Sequence, residues 1–171
     1  MTDECKAPLD PTAFGLFFVA LVSLPLAILC IGGYFDDTLT VNIGPLFQVA
    51  SFFIFVAALL AYRAGSNFGF IVFGMVAAGV YLSGIGAADA YVNITLAVMY
   101  VIGLIWSFRA GNLKTLTLIL LTTALIFLFG GIGGLADGAI WGLLQGLAAL
   151  ANFVLTLYLA FALADEKLPC Y

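Results

Sequence analysis

The sequence predicts an all-α integral membrane protein of six transmembrane helices, and three observations carry that reading. There is too little polar surface for a water-soluble globule, there are six apolar runs of spanning length, and every basic residue falls on alternate connections. Apolar residues make up 65% of the chain and charged residues 8%, with a mean hydropathy of +1.24, which places it in the membrane class. Its 171 residues are almost wholly taken up by the apolar runs, so residues 1–171 read as a single transmembrane domain. A strand barrel would need short alternating segments; continuous runs such as LILLTTALIFLF exclude one.

A helix rises about 1.5 Å per residue, so about 20 apolar residues cross a hydrocarbon core of about 30 Å. The first run, Thr12 to Ile31, follows Asp10 and Pro11, an N-cap and a proline suited to a helix start. The preceding MTDECKAPLD carries three acids and one lysine, the wrong charge for a signal peptide, so this run is expected to stay in the mature protein. Pro25 lies mid-span and frees a carbonyl near Leu21, a bend that serves packing or a pathway equally well. Pro45 to Tyr62 is the second run and holds Gln48. The third, Phe68 to Ala88, carries Gly69, Gly74, Gly79 and Gly84, a close-contact surface for helix packing or a backbone-lined constriction. Tyr91 to Phe108 is the fourth; its Asn93-Ile94-Thr95 sequon sits too near the membrane to be modified. Leu116 to Gly133 and Ile140 to Leu163 complete the set. The last begins with the small-residue pair Gly142 and Gly146, and places Gln145 and Asn152 seven residues apart on one face.

With six spans, Lys6, Arg63, Arg109, Lys114 and Lys167 share one side, while Asp36, Asp37, Asp89 and Asp137 lie on the other. The positive-inside rule then predicts a multi-pass cell-membrane protein with both termini cytoplasmic, anchored by Arg63, Arg109 and Lys114. The phrases AYRAGSNFGF and SFRAGNLKTL each set an arginine before Ala-Gly at a helix end, 46 residues apart. Glycine suits the left-handed residue after a helix, and arginine there complements the helix dipole while reaching the headgroups. The spacing, one helical hairpin's worth, predicts three stacked hairpins, with a faint third copy near Ala164 to Lys167.

No span carries an ionisable acid or base at depth, which removes the usual sign of a carboxylate relay, a voltage sensor or a buried ion pair. Gln48, Gln145 and Asn152 are the polar candidates, as glue between helices or as pathway lining. The net charge of −4 argues against nucleic-acid binding. Cys5, Cys30 and Cys170 lack metal spacing; Cys30 reads as an apolar filler and the others as free thiols, with lipidation of a terminal cysteine the sharper alternative. No histidine, phosphate-binding loop or serine-based catalytic set is present, so the expectation is a non-enzyme with no cofactor and no metal.

The order of several phrases resembles the acetate uptake transporter family, the succinate-acetate permeases. That family reads Glu-Tyr-Lys-Lys-Gly-Asn-Thr-Phe-Gly where this chain has Tyr62, Arg63, Gly65, Phe68 and Gly69. Its N-terminal Asn-Pro-Ala-Pro-Leu-Gly-Leu is similar to the segment with Asp10, Pro11, Phe14, Gly15 and Leu16. Gly142, Gly146 and Ala149 fit its last helix, and Glu166, Leu168 and Pro169 its tail. The chain departs from the family early in the second helix, at Val49, Ala50, Ser51 and Ile54, and at the hydrophobic gate, where the family's phenylalanine and tyrosine fall at Val19 and Val76. Phe18, beside Val19, could substitute after a small rotation. The resemblance implies a transporter or channel for acetate or a similar small monocarboxylate, passive or proton-linked, with one pathway per protomer. It also implies a homohexamer whose apolar central hole is sealed by membrane lipid. The pathway would pass Phe14, Phe18, Val19, Gln48 and Val76, with Gln145 and Asn152 as donors. A channel for a small neutral solute (urea, an amide, ammonia or water) and a non-transporting membrane scaffold are the other readings the residues leave open.

Overall fold

A computed structural model describes residues 11–36, 38–136 and 138–164. The expectations placed on Cys5, Lys6, Asp10, Asp37, Asp137, Glu166, Lys167, Leu168, Pro169 and Cys170 lie outside the described residues. Among the described residues six helices follow one another: α1 (Pro11–Phe35), α2 (Gly44–Arg63), α3 (Asn67–Gly84), α4 (Ala90–Ala110), α5 (Lys114–Leu135) and α6 (Ala139–Ala164). Each is long and apolar enough to cross a membrane. α1 runs on through Pro25 and past the expected end at Ile31. α3 stops at Gly84, short of the expected Ala88. There Gly86 turns the chain at φ +73°, and Asp89 caps α4 by accepting from the Val92 N–H at 2.8 Å.

The repeated Arg-Ala-Gly phrase is a repeated helix closure. Gly65 and Gly111 take left-handed φ values of 82° and 67°. In each case the next N–H reaches back over the end of the helix, Ser66 to the Ala61 carbonyl at 2.9 Å and Asn112 to the Ser107 carbonyl at 3.2 Å. This six-to-one bond satisfies a carbonyl that hydrocarbon would otherwise leave unpaired.

The closest packing is between α2 and α3, α4 and α5, and α6 and α1; α1–α2 and α5–α6 contacts join these pairs into a ring, loosest between α3 and α4. The two phrases are the turns of the first two pairs. The third pair, α6–α1, is made of the last and the first of the described helices, so no interhelix turn joins its members; most of the faint third copy near Ala164 to Lys167 lies outside the described residues. Close approaches fix the polarity: Gly44 meets Gly84, Gly131 meets Ala90, and Gly146 meets Ile31. Those residues mark one end of the bundle, with Asp36 and Asp89 beside them; exposed Arg63, Arg109 and Lys114 stand at the other.

Large apolar side chains cover the outside of the ring, among them Ile28, Phe52, Ile102 and Val154. Aromatic residues mark both rims, with Phe35 and Tyr91 at the acidic end and Tyr62 and Phe108 at the basic end, as headgroup-level belts do. Within lipid, helices gain little by hiding apolar area from one another, so close van der Waals contact holds them together. Gly146 shows how tight that contact is, since a Cβ there would lie 2.7 Å from Ile31 Cγ1 and 3.0 Å from the Ile31 backbone nitrogen. Gly74, by contrast, has nothing within 4 Å. Gly146→Leu is therefore expected to destabilise the protein by about 1–3 kcal/mol through forced separation of α1 and α6, and Gly74→Ala to leave stability unchanged or raise it by up to about 1 kcal/mol, since alanine is the better helix former. Thermal unfolding of both variants in detergent checks this.

Candidate functional site

A partly open cavity of about 270 Å³ lies inside the ring and takes walls from every helix. Val19, Val22 and Ser23 come from α1, Phe47 from α2, Val76 and Val80 from α3, and Asn93 from α4. Thr123 and Phe127 come from α5, and Gln145 and Asn152 from α6. The cavity reaches from Gly86 and Ala88, at the acidic end, to about the mid-depth of the helices. Below it, toward the basic end, a smaller cavity of about 30 Å³ is bounded by Thr12, Leu16, Gly69, Tyr100 and Leu116, among others. Val19, Val76 and Thr123 border both spaces. These three residues are 5–6% exposed and form a closed collar between an upper vestibule and a lower chamber.

The polar chemistry of the vestibule is set by Asn152, which is 1% exposed. Its Nδ2 donates to Thr122 Oγ1 and Thr123 Oγ1, both at 2.8 Å, and lies 3.2 Å from the Ile119 carbonyl. Those threonine hydroxyls spend their own protons on α5 backbone carbonyls, Thr123 on Ile119 at 2.7 Å and Thr122 on Ile119 at 3.0 Å. Only an acceptor-seeking NH₂ fits among such oxygens, so the amide oxygen turns toward α1, where Ser23 Oγ lies 3.1 Å away. Ser23 has one proton and two acceptors, Asn152 Oδ1 and the Val19 carbonyl at 2.8 Å. The deep end of the vestibule thus has unfilled acceptor capacity on Ser23 and Asn152 and no spare donor.

Nearer the mouth the balance reverses. Gln145 Nε2 has no hydrogen-bond partner among the described residues, while its Oε1 receives a long contact from Cys30 Sγ at 3.7 Å. Asn93 spends one amide proton on the Ala88 carbonyl at 3.1 Å and keeps the other. Among the described residues, no charged side chain lines the vestibule. Beyond the helix end, the Thr38 hydroxyl at 2.6 Å and the Thr38 N–H at 3.0 Å hold the Asp36 carboxyl below its ordinary range.

Val19 and Val76 stand on the collar, and Gln145 and Asn152 on the vestibule wall. Phe14, Phe18 and Gln48 border neither space. Phe18 stacks on Phe53 at 4.7 Å and 13°, and Phe14 meets it edge-on at 5.0 Å, in the seam between α1 and α2. Gln48 is exposed and donates to the Gly84 carbonyl at 3.1 Å, in an outer groove between α2 and α3 that also holds Ser51 and Tyr81. Both displacements have one cause: a one-residue step turns a helix by about 100°. With Val19 and Phe47 facing inward, Phe18 and Gln48 must turn away. Ser23, Asn93, Thr123, Phe47 and Phe127 are wall residues that the sequence reading missed. Ser23 was recoverable, being four residues from Val19 on the same face. Thr123 is one of several threonines on α5, and nothing local marks it.

No protein-family model matches this chain, and no curated protein sequence does. The fold, however, is similar to a solved structure, that of the bacterial acetate channel SatP, with a TM-score of 0.83 over 96% of this chain and 100% of that one, at 17% sequence identity. This chain shares that channel's fold. The likeness to SatP runs over all six helices, so the chain is a multi-pass membrane protein, and the vestibule and lower chamber lie inside the ring of a SatP-like bundle.

The network separates two roles that the sequence left together. Asn152→Leu breaks the tie between α5, α6 and α1 and is expected to cost about 1–3 kcal/mol. Gln145→Leu is expected to leave stability within about 0.5 kcal/mol of wild type, since Gln145 makes one long contact only. Unfolding in detergent compares the two variants.

Proposed function

We propose that this protein is a membrane channel or transporter that passes acetate or a similar small monocarboxylate through the interior of each protomer. The observation that carries the proposal is the alignment of two cavities inside the ring, meeting at the Val19–Val76–Thr123 collar, in a chain that shares its fold with an acetate channel. A scaffold protein would need no such space. We read the chain as a non-enzyme, a homohexamer in the cell membrane sealed by lipid at its centre, with both termini cytoplasmic. The clustering of Arg63, Arg109 and Lys114 at one end supports that orientation.

The neutral walls bear on the form of the guest. An anion entering the vestibule would leave water for a space with no cation. Amide donors of Gln145 and Asn93 can meet its oxygens at the mouth, but the deep end presents acceptors. A protonated acid can donate its O–H there to Ser23 or Asn152, whereas a carboxylate cannot. The passage therefore favours the neutral acid at the collar, which links flux to proton supply. The same walls fit a small amide such as urea, whose N–H groups would occupy those acceptors, and this is the second reading.

Radiolabelled acetate uptake into proteoliposomes tests the proposal, with empty liposomes as the background. Uptake by the protein is expected to exceed that background and to rise as external pH falls toward the pKa of the acid, because the neutral fraction grows. Val76→Phe, which fills the collar, is expected to cut the protein-dependent component about tenfold, equivalent to about 1.4 kcal/mol on the barrier. Uptake equal to empty liposomes rejects transport of acetate. Urea flux that acetate does not compete with selects the second reading.

A further inference from the structure

One buried hydroxyl is not used by the vestibule or by the packing. Tyr100 lies mid-way along α4, is 0% exposed, and stacks its ring on Phe127 with centroids 5.6 Å apart and planes 8° apart. Its hydroxyl is buried with no hydrogen-bond partner among the described residues, and it is alone in that among the buried side-chain polar atoms there. A buried hydroxyl without a partner is costly, and native proteins rarely keep one without a use for it. A phenylalanine would pack the same ring on Phe127 without that cost. Tyr100 also borders the lower chamber, directly beneath the collar, where the other walls are almost entirely apolar: Leu16, Val72, Phe73 and Leu120. The chamber is small, about 30 Å³, so its walls must part to admit a small carboxylic acid beside Tyr100.

We propose that the Tyr100 hydroxyl is a station for the permeating solute on the far side of the collar, where it donates a hydrogen bond to an oxygen of the guest. The inference rests on the transport reading above and names the lower site of that pathway. Its chemistry complements the vestibule. Above the collar the guest meets acceptors on Ser23 and Asn152; below it, in a chamber that Tyr100 borders, the unpartnered hydroxyl would be the donor. A small carboxylic acid carries both an O–H and a carbonyl oxygen, so it can release one contact as it gains the other. Without Tyr100 the guest would enter an oily chamber with its carbonyl unpaired, which raises the barrier just past the collar. A solute with no acceptor atom, such as ammonium, gains nothing comparable from donation by the hydroxyl.

Tyr100→Phe isolates the hydroxyl, because the ring and its stacking are retained. The variant is reconstituted beside wild type, and acetate flux is measured together with unfolding in detergent. The expected result is a melting temperature equal to or above that of wild type, because the lost hydroxyl had no partner, with protein-dependent acetate flux at least fivefold lower. Undiminished flux overturns the inference. A lowered melting temperature, or a variant that does not fold, also overturns it, since the hydroxyl would then be serving the fold. Wild-type protein that passes no acetate defeats the transport reading itself, a result distinct from a wild type that passes acetate as fast as its Tyr100→Phe variant.

Discussion

The side-chain amide of Asn152 is the constraint on which the architecture turns. In a bundle surrounded by hydrocarbon, a buried polar group has no water to fall back on, so its partners must come from neighbouring helices. Asn152 finds them on two sides at once, two threonine hydroxyls and a carbonyl region on α5, and Ser23 on α1. That single residue joins the last helix of the chain to the first. It closes the ring at the pair where no turn connects the partners, since α6 and α1 are not consecutive helices. Small residues do the remaining work at this seam, and Gly146 lets the α6 backbone come against Ile31.

The same amide decides what the cavity offers a guest. Because the NH₂ is consumed by α5, the oxygen is turned toward α1, and the deep vestibule becomes an acceptor surface beside a ring of aliphatic side chains. Thr123 belongs to both structures: it receives the Asn152 amide and stands on the collar with Val19 and Val76. Support of the fold and shaping of the two cavities therefore meet in one residue. A collar of two valines and a threonine whose own proton is spent on Ile119 presents mostly methyl groups, a poorly wetting surface that would suit gating by dewetting in the proposed pathway.

The sequence was legible at the level of spans, order and polarity, because a hydrocarbon solvent imposes run length and charge placement directly. Its repeated phrase carried more than charge: Gly65 and Gly111 close equivalent helix ends with equivalent bonds. The pairing of helices was less legible. A repeat that begins part-way through a unit places its third member across the first and the last helix, and no local signal announces that α6 packs on α1. Individual wall residues were legible only where their azimuth was. Gln145 and Asn152, seven apart, share the inner face, whereas Phe18 and Gln48 are each one residue from an inward position and so face elsewhere. Polarity alone does not reveal azimuth, and an exposed glutamine on an outer groove looks in sequence like one in a channel. The partnerless hydroxyl of Tyr100 is a property of three-dimensional surroundings and could not be read from the chain at all.

The central claim is that a solute route runs inside each ring and is interrupted at one collar. Thiol accessibility tests it most directly, in protein whose Cys5, Cys30 and Cys170 have been replaced and which carries a single new cysteine at Val80, above the collar, or Leu120, below it. A membrane-impermeant thiol reagent applied from the side of Asp89 is predicted to label V80C, to be slowed there by acetate, and to leave L120C unlabelled. Equal labelling at both positions, or labelling at V80C that acetate never slows, would contradict the account.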